Sequence, residues 1–185
     1  MSGEFGKIIL INGASSSGKS SLARALQARI DAPFFRLTFD HLRDSGALMP
    51  LARFRSGEFT WAEYRERFFI GYERALAAFA ETGNNLIFDY IIETEAGMAR
   101  LAGLLAPFDV YFVGVHCDLD ELERRELARG DRKAGDARRD AETIHRFARY
   151  DLEIDTTRTP PEENADRVIE SWRTRNAQSA LFAAR

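Results

Sequence analysis

The sequence predicts an α/β fold: a parallel sheet with helices over both faces, in a single domain spanning residues 1–185. Three observations carry this expectation. Short apolar, β-branched runs are each followed by a segment of helical periodicity, and the alternation repeats five times. Strands that alternate with helices in this way build parallel sheets buried on both faces. The first run leads into Gly13-Ala14-Ser15-Ser16-Ser17-Gly18-Lys19-Ser20, which fits G-x-x-x-x-G-K-[ST]. Finally, a chain of 185 residues that is 45% hydrophobic and 30% charged is long enough to bury one core.

Lys7 to Ile11 reads as the first strand and Ser21 to Ile30 as a helix, with Leu22, Leu26 and Ile30 four residues apart. The two glycines let the backbone of the loop between them bend so that its N–H groups point at one phosphate, at a helix N-terminus of positive potential. The residues expected on a nucleotide are Gly13, Ala14, Ser15, Ser16, Ser17, Gly18, Lys19, Ser20 and Ser21. Lys19 would reach the β- and γ-phosphates, and the Ser20 hydroxyl would bind Mg²⁺. Phe34 to Phe39 is the second strand, ending at Asp40. Polar groups just past a strand's carboxyl end lie where open α/β sheets bind ligands. Asp40 is also placed to cap a short helix from His41.

Ser45 to Thr60 is the least regular stretch, suited to a lid, an acceptor pocket or a surface connection. Thr60 and Glu63 form a capping-box pattern before a helix to Glu81. Its stripe of Trp61, Tyr64, Phe68, Tyr72, Leu76 and Phe79 is expected to pack on the sheet, with the first turn free to line a pocket. Thr82-Gly83 ends the helix. Leu86-Ile87-Phe88-Asp89 is the next strand, and a carboxylate at such a strand tip helps hold Mg²⁺ or its water. A helix over Glu95 to Ala106, a strand over Phe108 to Val115 and a helix over Asp120 to Ala128 follow. Cys117 reads as a small packed residue.

Arg129 to Lys133 then puts three cations in five positions between glycines, with Arg138 and Arg139 beyond. This segment, about 129–139, suits a lid that closes on a polyphosphate, with Arg129 and Arg132 on the phosphates. Helix over Glu142 to Tyr150, a strand from Leu152 and a terminal helix from Pro160-Pro161 complete the order. The alanine-rich tail from Asn176 is expected to fray or to pack on a partner. His41, His116 and His145 show no metal-ligand spacing.

A net charge of −3 and a pI near 5.7 argue against non-specific nucleic-acid binding. One cysteine excludes an intrachain disulfide and fits a reducing cytoplasm. No apolar run approaches the roughly 20 residues of a membrane span. The expectation is a cytoplasmic protein with no nucleic-acid or membrane partner, with a homo-oligomer left open. With the phosphate loop, Asp40, Asp89 and the Arg132 region at one sheet edge, the arrangement is that of a phosphoryl-transfer enzyme using ATP and Mg²⁺. One of the two aspartates would serve the acceptor and the other the magnesium shell.

The chain resembles the chloramphenicol phosphotransferase family of P-loop kinases. The shared stretches are Ile8 to Gly13 with Ser15-Ser16 and Gly18-Lys19-Ser20; Asp40 with Leu42 and Met49-Pro50-Leu51; Ile87 and Asp89; Val113-Gly114-Val115 with Cys117-Asp118; Ala128 to Arg132 with Ala134-Gly135; and Tyr150-Asp151 and Glu153 before Asp155-Thr156-Thr157. The resemblance implies a three-layer P-loop kinase fold with a five-stranded parallel sheet. It implies transfer of the γ-phosphate of ATP, with Mg²⁺, to a hydroxyl of an antibiotic-like small molecule. It also implies that Asp40 is the general base and that Thr156 and Thr157 lie near the adenine; Lys19 and Arg132, on the reading of the residues, would stabilise charge on the transferring phosphoryl group. Metal ligands would be Ser20 and Asp89. From Ala52 to Gly83 this chain is shorter and follows its own pattern, so the acceptor segment, about 40–83, leaves open chloramphenicol, another hydroxylated antibiotic or a metabolite. A nucleoside or nucleotide kinase and an ATP-binding regulatory module without acceptor chemistry are the alternatives.

Overall fold

The computed structural model describes residues 4–48, 53, 56–129, 135–175 and 178–183. Five strands form one parallel sheet: β1 (Ile8–Gly13), β2 (Phe34–Thr38), β3 (Asn85–Tyr90), β4 (Val110–His116) and β5 (Leu152–Asp155), in the order β2-β3-β1-β4-β5. Seven helices connect and cover them among the described residues: α1 (Lys19–Arg29), α2 (Phe39–Asp44), α3 (Trp61–Glu81), α4 (Glu95–Leu105), α5 (Leu119–Arg129), α6 (Asp136–Thr143) and α7 (Pro161–Thr174).

Strand side chains alternate between two cores. Ile9, Ile11, Ile87 and Val113 face Leu22 and Leu26 of α1 and Val168 and Ile169 of α7. Ile8, Leu10, Phe88 and Phe112 face Leu76 and Ala80 of α3 and Leu101 and Leu105 of α4. Every residue of β1 is buried, which is why its sequence is a continuous apolar run rather than an alternating one. A third cluster, Ala14, Leu122, Ala137 and Ile144, lies under the phosphate loop.

Several local expectations are corrected. β2 stops at Thr38, and Phe39 opens α2; the Thr38 side chain, not that of Asp40, caps it by accepting from the Asp40 N–H at 3.4 Å. The Thr60 side chain makes no cap bond; the turn is closed by the Glu63 N–H on the Thr60 carbonyl at 3.2 Å. The α3 stripe serves two purposes. Leu76, Ala77 and Ala80 are its buried core residues, whereas Phe79 is 49% exposed.

The helix expected over Glu142 to Tyr150 lies earlier. Glu126, 4% exposed, accepts from the N–H groups of Gly135 and Ala137 at 2.8 and 2.9 Å and so sets the start of α6. The chain turns after Thr143 so that Tyr150 can cover Gly114, where an added Cβ would lie 2.5 Å from the tyrosine ring. The described tail docks on its own core. Asp151 accepts from the Ser179 hydroxyl and the Ala180 N–H, both at 2.6 Å, and Leu181 is buried. Among the described residues, no helix is long and apolar enough to cross a membrane.

Candidate active site

The carboxyl edge of the sheet opens into a cleft of about 1190 Å³. Its floor is the loop between β1 and α1. Gly18 has φ 90°, a backbone region that side-chain-bearing residues rarely adopt, and stands at the N-terminus of α1. At Gly13 a Cβ would lie 2.7 Å from the Val115 carbonyl oxygen, so only glycine lets the loop fold down against β4. Lys19, 8% exposed, lays its ammonium on the Ala14 carbonyl at 2.6 Å. The Ser15 N–H donates to Asp140 Oδ2 at 3.2 Å. The Ser16 and Ser17 hydroxyls are buried without a hydrogen-bond partner among the described residues.

Asp89 is 4% exposed at the tip of β3, and its Oδ2 accepts the Ser20 hydroxyl at 2.7 Å. Its Oδ1 is buried and has no partner among the described residues. A serine oxygen beside an orphaned carboxylate oxygen is a hard-oxygen pair. Mg²⁺ takes only one or two protein oxygens of this kind and fills its shell with phosphates and water, so the residues fit it. Thr38 of β2 is in register with Asp89. Asp40, two residues on, therefore stands at the same edge one strand over, and it lines the same cleft.

On one side of the loop, Thr156 is 7% exposed and donates to the Ser17 carbonyl at 2.6 Å. Arg125 donates to the Thr156 carbonyl at 2.7 Å and is itself held by Glu121 at 2.7 Å. Arg124 and Arg125 hold the Glu121 carboxyl well below the usual carboxylate range. Thr157 accepts from the Asp118 N–H at 2.9 Å, which fixes the β5 exit against that of β4. Thr156 thus props the phosphate loop from behind. Arg124, Arg125, Thr159 and Pro161 extend the cleft wall at this end. The sequence expectation did not include the two arginines. Their helix has Glu and Arg along its length and reads as a solvated face.

The other side is aromatic. Phe39 packs on Phe69 at 5.1 Å and on Trp61 at 6.4 Å, and Phe69 on Tyr90 at 5.9 Å. Beneath them Glu73 is 1% exposed. It accepts from the Tyr90 hydroxyl at 2.9 Å and from Arg100 Nε and Nη2 at 2.9 and 3.0 Å. Arg65 pairs with Glu93 at 2.5 Å and lies over the Phe69 ring at 5.0 Å. Arg36 meets His41 at 2.8 Å. Glu73 was also missed, although a signal existed: Glu73, Leu76, Ala77 and Ala80 share one helical face, so a carboxylate sits in an apolar stripe.

Of the predicted site residues, Ser15 to Ser21, Asp40, Asp89 and Thr156 line one cleft; Gly13 and Ala14 lead into its loop, and Thr157 follows Thr156. Arg132 and the rest of 130–134 in the predicted lid lie outside the described residues; Arg129 ends α5. Arg138, at the far end of that segment, is engaged by Glu123 at 2.7 Å. Cys117 is half-buried and burial pushes its thiol up, which suits packing rather than nucleophilic chemistry.

The sequence matches the profile of the chloramphenicol phosphotransferase-like protein family over residues 6–173. It is similar to a protein of Mycobacterium tuberculosis, from strains CDC 1551 / Oshkosh and ATCC 25618 / H37Rv, provisionally named an O-phosphotransferase. The identity is 36% over 192 residues, covering 90% of this chain and 82% of the relative. Among solved structures, the Mycobacterium tuberculosis APS kinase CysC in complex with AMPPNP and APS has a TM-score of 0.69 at 21% identity, covering 93% of this chain and 100% of that one. A gluconokinase from Sinorhizobium meliloti 1021 has a TM-score of 0.61 at 16% identity, covering 91% and 93%. At such identities these structures bear on the fold alone, which is that of P-loop kinases.

Proposed function

Because the chain belongs to the chloramphenicol phosphotransferase-like family, we propose that it transfers the γ-phosphate of ATP to a hydroxyl of a small, antibiotic-like molecule in the cytoplasm. The observation that carries this reading is the pairing of Ser20 with Asp89, one carboxylate oxygen left orphaned, in front of a phosphate loop and one strand from Asp40. Lys19 leaves the Ala14 carbonyl for the β- and γ-phosphates and steadies the charge that builds on the transferring group. Mg²⁺, held by Ser20 and Asp89, would neutralise phosphate charge. Asp40 accepts the proton of the acceptor hydroxyl as the new P–O bond forms and the bond from the γ-phosphorus to the bridging oxygen breaks, releasing ADP. Arg129 and Arg132 keep the role assigned from sequence, closing over the phosphates.

Phe39, Trp61, Phe69 and Tyr90 form the acceptor wall. Arg36, Arg65 and Arg100 beside it already have partners in His41, Glu93 and Glu73. An acceptor phosphate would have to break those pairs, which supports an uncharged hydroxylated acceptor over a nucleotide. Mass-spectrometric screening of hydroxylated antibiotics, sugars and nucleosides with ATP and Mg²⁺ tests the reading. A gain of one phosphate on a non-nucleotide compound is expected. ATP turnover that no compound stimulates would instead favour an ATP-binding regulatory module.

A further inference from the structure

The phosphate loop already has an anion on it, and that anion belongs to the chain. Asp140 sits on α6, 7% exposed, and its Oδ2 accepts the Ser15 N–H at 3.2 Å. Consecutive loop N–H groups are the donors a phosphate uses. The carboxylate therefore stands at a donor that a nucleotide would claim. It also stands beside the catalytic lysine: Ser15 follows Ala14, whose carbonyl holds the Lys19 ammonium at 2.6 Å, and the two charges feel each other.

The placement is built into the fold. Ala137 and Ile144 of α6 pack with Ala14 of the loop and Leu122 of α5. Glu126 anchors the first turn of α6 through Gly135 and Ala137. Burial raises the Asp140 carboxyl above its ordinary range; the Ser15 N–H, Arg139 and Lys19 pull it back down, while Glu93 pushes it up.

We propose that Asp140 is an internal competitor for the γ-phosphate, a residue that sets how strongly the loop prefers a nucleoside triphosphate to a diphosphate. The inference rests on the nucleotide-binding role proposed for the loop. The carboxylate holds the Ser15 N–H. A γ-phosphate arriving at Lys19 brings like charge against it in a partly dehydrated pocket, whereas a diphosphate stops short of that position. The carboxylate must then yield the donor.

Calorimetric titration of the full chain with MgATP and with MgADP, on the wild type and Asp140→Asn, tests this. Asparagine keeps the shape and can still accept from Ser15, but carries no charge. The ATP dissociation constant is expected to fall about tenfold, as removal of one nearby like charge at intermediate dielectric allows, while that of ADP moves less than about twofold. An equal change for both nucleotides, or weaker ATP binding, overturns the proposal and makes Asp140 a loop support. Should Asp140→Asn fail to fold, Asp140→Gln against Asp140→Glu isolates charge at constant length; an equal ATP-to-ADP ratio in the two overturns the proposal. Binding of neither nucleotide by the wild type would overturn the nucleotide reading itself, and this inference with it.

Discussion

The two ends of the cleft are built by different means. The proposed donor end is made largely of backbone: the N–H groups of a loop that Gly13 and Gly18 allow to fold, one helix N-terminus, and a lysine adjoining Gly18 in sequence. The proposed acceptor end is made of side chains from distant elements: Phe39 from α2, Trp61, Phe69 and Glu73 from α3, Tyr90 from β3 and Arg100 from α4. A backbone-built site can serve one invariant ligand, the polyphosphate. A side-chain-built site can be re-cut for a new acceptor without disturbing the sheet. The two ends should therefore respond differently to substitution.

The largest effect is expected at the donor end. Lys19→Ala should lower turnover roughly 10³-fold, the scale of losing a principal charge stabiliser in the transition state, with the melting temperature little changed. Turnover within a few-fold of wild type would mean the loop does not bind the transferring phosphate. Asp40→Asn comes next and lies at the boundary. It should cost about 10²-fold in turnover, as loss of a general base does, while ATP affinity is retained. Loss of ATP binding in that variant would move Asp40 to the donor end and reopen the division of roles with Asp89.

The same division decided what could be seen in the sequence. Loop, strand tips and helix order are local patterns, and Gly13 to Ser20, Asp40 and Asp89 were legible because each is defined by its immediate neighbours. The Ser15–Asp140 contact joins residues 125 positions apart, and Glu73 meets Arg100 across 27. Neither pairing follows from spacing, since each depends on how finished elements dock, a loop on a helix in the first case and two helices in the second. The end of α6 was missed for the same reason. Residues 144 to 150 have ordinary helical composition, but Tyr150 is drawn to Asn12 and over Gly114. Long-range packing therefore overrules local propensity there.

At the acceptor end, Glu73→Gln should spare chemistry and injure recognition. The glutamine can still meet Tyr90 but loses its charge-assisted hold on Arg100, an interaction on the order of 1.5–3 kcal/mol. The KM for the acceptor is expected to rise about tenfold, with the KM for ATP and kcat within about twofold. Equal changes in both KM values would show that Glu73 supports the whole cleft, and the distinction between the two ends would fail.

The smallest effect is a pH dependence beneath the donor end. His145 stacks on His116 at 4.1 Å and meets the Tyr150 hydroxyl at 2.7 Å through Nδ1. That hydroxyl accepts from Asn12 at 2.8 Å, so its own proton is free to point at a neutral His145. Burial first, then His116 and Lys19, lower the His145 pKa from 6.5 to about 4, the Val115 backbone opposing. The folded value lies below the unfolded one, so the unfolded chain binds the extra proton between the two. Stability is then fully present above about pH 6.5 and falls as pH drops toward 4. Between pH 7 and 5.5 the loss is about 1 kcal/mol, read as a drop of about 2–4 °C in melting temperature for a chain of this size. His145→Gln removes the titrating group and should flatten that slope while leaving acceptor selectivity untouched. An identical slope in wild type and variant would place the pH response elsewhere and leave the Asn12–Tyr150–His145 chain a neutral prop.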